Sequence, residues 1–178
     1  SRLEAGKFKA KKLDFALSDV LGNLKAEFGV LAQAGGIQFS VVESSLAVYS
    51  DVRLLRRVLQ NFLTNAFRYN PGGRVLLGCR RLGDKVRIEV WDNGPGIPEG
   101  KQEAIFDEFS RLDHSRTARE QGLGLGLAIA RGISQVLGHQ LSLRSWPGAG
   151  SVFAITLNLA TRPVTPSQVT TPAQRDSQ

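Results

Sequence analysis

The stretch DVRLLRRVLQNFLTNAFRYNPGG, residues 51–73, decides the fold. Leu54, Leu55, Val58, Leu59, Phe62, Leu63 and Ala66 recur at intervals of one, three and four. That is the apolar stripe of a helix that must bury one face. Asp51 stands where an N-cap belongs, and Asn70-Pro71-Gly72-Gly73 breaks the period. Asn61, Asn65 and Arg68 follow one another at spacings of four and three, so they share a different face. Two amides on such a face are either ordinary solvated residues or ligands. As a ligand, an amide oxygen on a rigid helix can complete the octahedral shell of a Mg²⁺ carried mainly by phosphates and water. It does so without adding negative charge beside a polyphosphate.

Upstream, Leu17, Val20, Leu21, Leu24, Phe28 and Leu31 share one face of a helix expected over residues 16–34, and Gly35-Gly36 stops it. Residues 8–15 carry a weak strand pattern before it. Alternation over 37–41 marks a strand, with 46–49 expected as its hairpin partner. Downstream, strands are expected over 74–82 and 85–91, joined by a Gly83-Asp84 turn. A Gly/Pro turn over 92–98 precedes a short apolar segment around Ile105, Phe106 and Phe109. Residues 110–121 hold Leu112 as their only large aliphatic and read as a mobile loop. They run into Gly122-Leu123-Gly124-Leu125-Gly126-Leu127, the start of a helix to about residue 137. Strands near 140–146 and 151–159 complete the pattern, and from Thr161 a tail rich in Pro, Thr, Ser and Gln reads as a linker or disordered end. Helices alternating with hairpins predict an α+β domain, one layer of helices on one face of a mixed, mostly antiparallel sheet.

The 178 residues, 42% of them hydrophobic, suffice for one core. A net charge of +7 raises the question of nucleic acid. The basic residues are spread over several segments without interleaved aromatics, so no nucleic-acid partner is expected. A nucleotide polyphosphate or an acidic protein would use the same charge. No apolar run reaches bilayer length, so a soluble fragment is expected, and no signal-peptide pattern opens the chain; a cytoplasmic location fits the single cysteine. Lacking Met and opening at Ser1, the chain is expected to be cut from a longer protein. Cys79, the one cysteine, excludes an internal disulfide or Cys-rich zinc site and reads as a small buried hydrophobe. His114 and His139 read as surface residues.

Asp92 sits where a strand ends and a glycine turn begins. It is either a turn-forming Asp or an adenine sensor. As a sensor, its carboxylate accepts a hydrogen bond from the N6 amino group. Guanine would set its O6 acceptor there instead, at a cost of roughly 1–3 kcal/mol for the unpaired groups. Gly94 and Gly96 would let the backbone approach the base. The alternating glycines of 122–127 serve either packing and hinging or phosphate binding, the latter by offering N–H groups at a positive helix end. Arg111 and Arg116 are either solvated loop residues or phosphate ligands that arrive as the loop closes. No G-x-x-x-x-G-K-[ST] occurs, and no dinucleotide fingerprint follows a strand.

Together, and in this order, the segments resemble the ATP-binding superfamily of histidine kinases, gyrases, mismatch-repair ATPases and heat-shock chaperones. The N box resembles residues 61–69, the first glycine box 92–98, the F box 105–109 and the second glycine box 122–129, while Gly148 to Phe153 is similar to the last hairpin. The resemblance covers about residues 1–159 and implies a Bergerat-type two-layer α/β sandwich. It is closest to sensor histidine kinases. Members that hydrolyse ATP usually carry Glu one turn before the metal-binding Asn, and here that position is Asn61, whose amide cannot take a proton from water. The resemblance therefore implies phosphoryl transfer, with an ATPase or a non-catalytic ATP-binding module as the alternatives.

The roles it implies are as follows. Asn65 binds Mg²⁺ with Asn61 in support, Arg68 contacts phosphate, Tyr69 lies against the base and Asp92 recognises adenine. Gly94, Gly96, Ile97, Phe106 and residues 122–127 line the ATP site. Residues 110–121, with Arg111 and Arg116, form its lid. The implied domains are the end of a dimerisation helix (1–6), the catalytic domain (7–160) and a tail (161–178). The acceptor histidine would stand on a dimeric helical-hairpin domain outside this chain, in a parent that could be membrane-attached, with a response regulator or fused receiver downstream. The fragment itself is expected to be monomeric.

Overall fold

Asp51 shows how closely local chemistry sets the frame. Its side chain is 4% exposed and accepts hydrogen bonds from the backbone N–H groups of Leu54 (3.0 Å) and Lys11 (2.7 Å). One carboxylate thus caps a helix and anchors the incoming chain. The computed structural model describes residues 9–107 and 122–167. Their order is β1 (Leu13–Ala16), α1 (Leu17–Gly35), β2 (Gln38–Val41), β3 (Ala47–Ser50), α2 (Val52–Arg68), β4 (Arg74–Leu82), β5 (Lys85–Asp92), α3 (Gly122–Leu137), β6 (Gln140–Trp146) and β7 (Gly150–Asn158). Two 3-10 turns, Glu99–Lys101 and Ala104–Phe106, lie between β5 and α3. The expectations for residues 1–6, for the 110–121 loop with Arg111, Arg116 and His114, for Phe109 and for most of the tail fall outside the described residues.

All seven stripe residues of α2 are buried, as its periodicity predicts. Helix α1 stops at Gly36, whose φ of 65° suits glycine and whose N–H reaches the carbonyls of Ala32 and Gln33. A five-stranded sheet runs β2-β4-β5-β7-β6, with β2–β4 parallel and every other pair antiparallel. Val75, Leu77, Val86, Ile88, Val90, Phe153, Ile155 and Leu157 alternate along three of these strands and are buried with the apolar stripes of α1, α2 and α3. The expected two-layer α+β architecture is the one observed. Phe62 of α2 meets Phe153 of β7 at a centroid separation of 5.5 Å, tying the central helix to the central strands.

One pairing differs from expectation. Residues 46–49 do not form a hairpin with 37–41. Instead β3 pairs antiparallel with β1 in a separate two-stranded ribbon, while β2 takes β4 as its neighbour. The connection Val42-Glu43-Ser44-Ser45-Leu46 lacks the Gly or Asn that a tight hairpin turn needs, so the chain leaves the sheet. Among the described residues, no helix is long and apolar enough to cross a membrane.

His139 also differs from its surface reading. It is half-buried, with Nε2 2.7 Å from the hydroxyl of the fully buried Ser50, and so joins the α3–β6 turn to the ribbon. Burial lowers its pKa from the usual 6.5 to about 4, helped by the Lys12 and Lys85 cations and opposed by a backbone bond at Gly138. The folded state therefore favours the neutral ring, whereas the unfolded chain takes a proton near 6.5. This contribution to stability is complete above pH 6.5 and is lost as pH falls toward 4. The drop in thermal midpoint between pH 7 and pH 5 is expected to shrink in His139→Gln, read by circular dichroism; an equal drop in both proteins would contradict the assignment.

Candidate functional site

The site forms where β5 ends. Asp92 is the last residue of that strand, paired in register with Ser151 of β7. Its Oδ1 accepts the N–H of Gly94 at 2.9 Å, an Asx turn that bends the chain out of the sheet. Burial pushes the Asp92 carboxyl above its ordinary range, against the opposing pull of backbone N–H bonds from Gly94 and Ser151. The group thus lies in a partly desolvated wall. It faces a cavity of about 430 Å³ whose other walls include Asn65, Tyr69, Gly94, Gly96, Ile97, Lys101 and Ile105.

Two glycines make this corner possible. Gly150 has φ 127°, and a side chain there would strike the backbone carbonyl of Asp92. Gly96 has φ 71°, and a side chain there would strike the carbonyl of Trp146. The close approach that Gly96 permits is therefore to the β6–β7 turn, not only to a ligand. The N–H of Gly148 reaches the carbonyl of Pro95 at 2.6 Å, and the Ser145 hydroxyl accepts the Ile97 N–H at 2.7 Å. These bonds fasten residues 95–97 to the sheet.

Of the residues singled out in the sequence, the cavity unites Asn65, Tyr69, Asp92, Gly94, Gly96 and Ile97. Asn61 lies one turn back on α2. Its Oδ1 would be 3.3 Å from a Cβ on Gly126, so Gly126 lets α3 approach α2. The Asn61 amide nitrogen is buried without a hydrogen-bond partner among the described residues. Arg68 borders a different groove, between α1 and α2, beside Phe28 and Phe67. Phe106 packs edge-on against Phe153 at 6.0 Å and lines a neighbouring cavity of about 600 Å³ with Arg131 and Leu143. Leu127 is 1% exposed and belongs to the core. Gly122, Leu123, Gly124 and Leu125 are already helical, so α3 begins at the first glycine of the run.

The sequence reading missed Asn70, Lys101, Ile105 and Ser151 as cavity residues. Ser151 was legible only through register with Asp92, and Lys101 only once the 3-10 turn after Pro98 is known. In the sequence Ile105 reads as part of an apolar segment, with nothing local to place it at the site.

Residues 50–161 match the family described as "Histidine kinase-, DNA gyrase B-, and HSP90-like ATPase". The chain belongs to this family. Membership in this ATPase family implies ATP binding. Among similar proteins, the sensor protein KdpD of Escherichia coli is 35% identical over 92% of this chain, which spans 18% of that protein. The adaptive-response sensory kinase SasA of Crocosphaera subtropica is 44% identical over 62% of the chain, or 29% of its own length. The catalytic domain of histidine kinase ThkA superposes with a TM-score of 0.71 at 27% identity, covering 84% of this chain and 97% of that domain. Full-length ShkA in complex with AMPPNP gives 0.77 at 28% identity, over 90% of this chain and 34% of its own. The chain is thus homologous to the ATPase portion of sensor kinases.

Asp92→Asn keeps an acceptor for the Gly94 N–H but removes the buried charge and turns a donor toward any N6 amino group. With Asp92 as the acceptor for a bound base, ATP affinity by calorimetry is expected to fall roughly 10- to 100-fold, the cost of one charge-assisted hydrogen bond. The thermal midpoint is expected to hold or rise, because the carboxylate is ionised against its surroundings. Unchanged affinity would remove Asp92 from the site.

Proposed function

We propose that this chain is the catalytic domain of a sensor histidine kinase and transfers the γ-phosphoryl group of Mg·ATP to a histidine on a separate helical-hairpin domain. One observation carries the reading: a single cavity is walled by Asn65 from a rigid helix and by the Asp92 carboxylate at a strand end. Asp92 accepts a hydrogen bond from the adenine N6 amino group, and Tyr69, 51% exposed at the rim, covers the base. The glycine segment 122–127 gives the phosphates backbone N–H groups at the start of α3. Lys101 adds a cation at the cavity wall. In this reading Arg111 and Arg116, which lie outside the described residues, also contact phosphate. Arg68 borders a different groove, so its phosphate role rests on the reach of a long side chain.

The donor set suits Mg²⁺. Among the described residues, no three His, Cys, Asp or Glu side chains cluster to hold a metal. A cation that enters with phosphate needs no such cluster, since phosphate and water oxygens fill most of its shell and one neutral amide suffices. Asn65 is that amide, and the cation when bound would offset charge on the transferring phosphoryl group. Position 61 supplies no base for water, so transfer waits for a histidine acceptor. In a loose, in-line transfer, positioning and charge stabilisation carry most of the catalysis, which a domain separate from its acceptor can provide. The partners in this reading are the hairpin domain of a dimeric parent and a response regulator or fused receiver, in the cytoplasm.

The test mixes this chain, γ-labelled ATP and the parent's helical-hairpin domain. Acid-labile label is expected on the hairpin domain and none on this chain. Asn65→Ala is expected to abolish Mg-dependent ATP binding and transfer while retaining its circular dichroism spectrum. Steady phosphate release without transfer would contradict the proposal.

A further inference from the structure

At the wall of the cavity, which includes Asn70, two side-chain amides join the end of α2 to the end of β5. Asn70 is 7% exposed and follows Tyr69, the residue that caps the C-terminus of α2. Its Nδ2 donates to Oδ1 of Asn93 at 2.9 Å and to the backbone carbonyl of Arg74 at 3.2 Å. The same Asn93 oxygen accepts the backbone N–H of Arg74 at 2.7 Å, and the Asn93 N–H returns to the Arg74 carbonyl at 3.3 Å. The Arg74 backbone fixes both amide orientations. Its N–H requires an oxygen on Asn93, and its carbonyl requires a nitrogen on Asn70.

The sequence around the pair is built to admit it. A side chain at Gly73 would collide with the Asn70 carboxamide. The Gly73 N–H instead bonds the Asn70 carbonyl at 2.9 Å, closing the turn over Pro71 and Gly72. On the other side, the carbonyl of Tyr69 and the Cβ of Asn70 lie 3.6 and 3.7 Å from where a Cβ on Gly94 would stand. Gly94 is the residue whose N–H holds the Asp92 carboxylate.

Resting on the ATP-binding reading above, we propose that Asn70 is a positioning residue for adenine recognition: the Asn70–Asn93 clasp fixes the Asp92 carboxylate relative to α2, and so to Asn65. Asn70 need not touch the nucleotide. It acts through the turn that bears Asp92, by fixing the distance between the base end and the metal end of the cavity. The two amides play unlike parts, because Asn70 works as a donor and Asn93 as an acceptor. Asn70→Asp therefore sets a carboxylate against two acceptors, whereas Asn93→Asp leaves an acceptor before both donors.

The experiment measures Kd by calorimetry for Mg·ATP and for purine riboside triphosphate, which lacks the N6 amino group. The proteins are wild type, Asn70→Asp, Asn70→Ala and Asn93→Asp, each shown folded by its melting curve at the titration temperature. Wild type is expected to prefer ATP. Asn70→Asp is expected to weaken ATP at least tenfold and to bring the ratio of the two constants toward one. Asn70→Ala is expected to show the same trend to a smaller extent, and it serves if the charged variant does not fold. The loss in Asn93→Asp is expected to be several-fold smaller than in Asn70→Asp. Equal losses in the two Asp variants, or an unchanged ratio in both Asn70 variants, would overturn the clasp while leaving ATP binding intact. Failure of wild type to bind ATP would sink the underlying reading and this inference with it.

Discussion

Helix α2 has only one way to lie on the sheet. Seven apolar residues from Leu54 to Ala66 are buried beneath it, and removing them from water is the largest stabilisation the segment can gain. A rotation by one residue would expose much of that stripe. Because the phase is fixed, Asn65 must open on the cavity and Asn61 must face α3. The functional face is what the core leaves over. The capping carboxylate of Asp51 fixes where the helix starts, and the glycine turn over 72–73 fixes where the chain enters β4.

The opposite wall depends on a costlier arrangement. A carboxylate in a desolvated corner is held above its ordinary pKa, and backbone N–H groups of Gly94 and Ser151 offset only part of that burden. Such a group contributes little to stability. Its usefulness lies in directing one strong acceptor into the cavity from a rigid strand end. Gly96 and Gly150 remove the side chains that would keep the surrounding strands apart. The chain's net charge of +7 suits a polyanionic ligand, and in the proposed function this single acceptor is what would recognise the base.

Much of this was legible in the sequence because it is local. The period of α2, the Asp51 cap, the stop at Gly36 and the hairpin about Gly83 all follow from nearest-neighbour chemistry. What stayed hidden depends on contacts far along the chain. The β1–β3 pairing joins segments separated by a whole helix, and the Ser50–His139 bond spans 89 positions. Asn70 reads as a turn residue until Asn93 is brought beside it, and Gly73 reads only as part of the helix break until the Asn70 side chain is seen to fill its space. Arg68 shows the converse: its spacing from Asn65 is correct for one face, yet it borders another groove, because a helical turn of three residues rotates the side chain toward α1.

The central claim is that helix α2 and the end of strand β5 form two walls of one nucleotide site. The most direct measurement is the titration of ¹⁵N-labelled protein with Mg·ADP, following backbone amide resonances. The account predicts concerted shifts at residues 65–70 and 92–97 with a single dissociation constant. Shifts confined to the exposed sheet face around Leu76 and Trp146, or two walls responding with different constants, would contradict it.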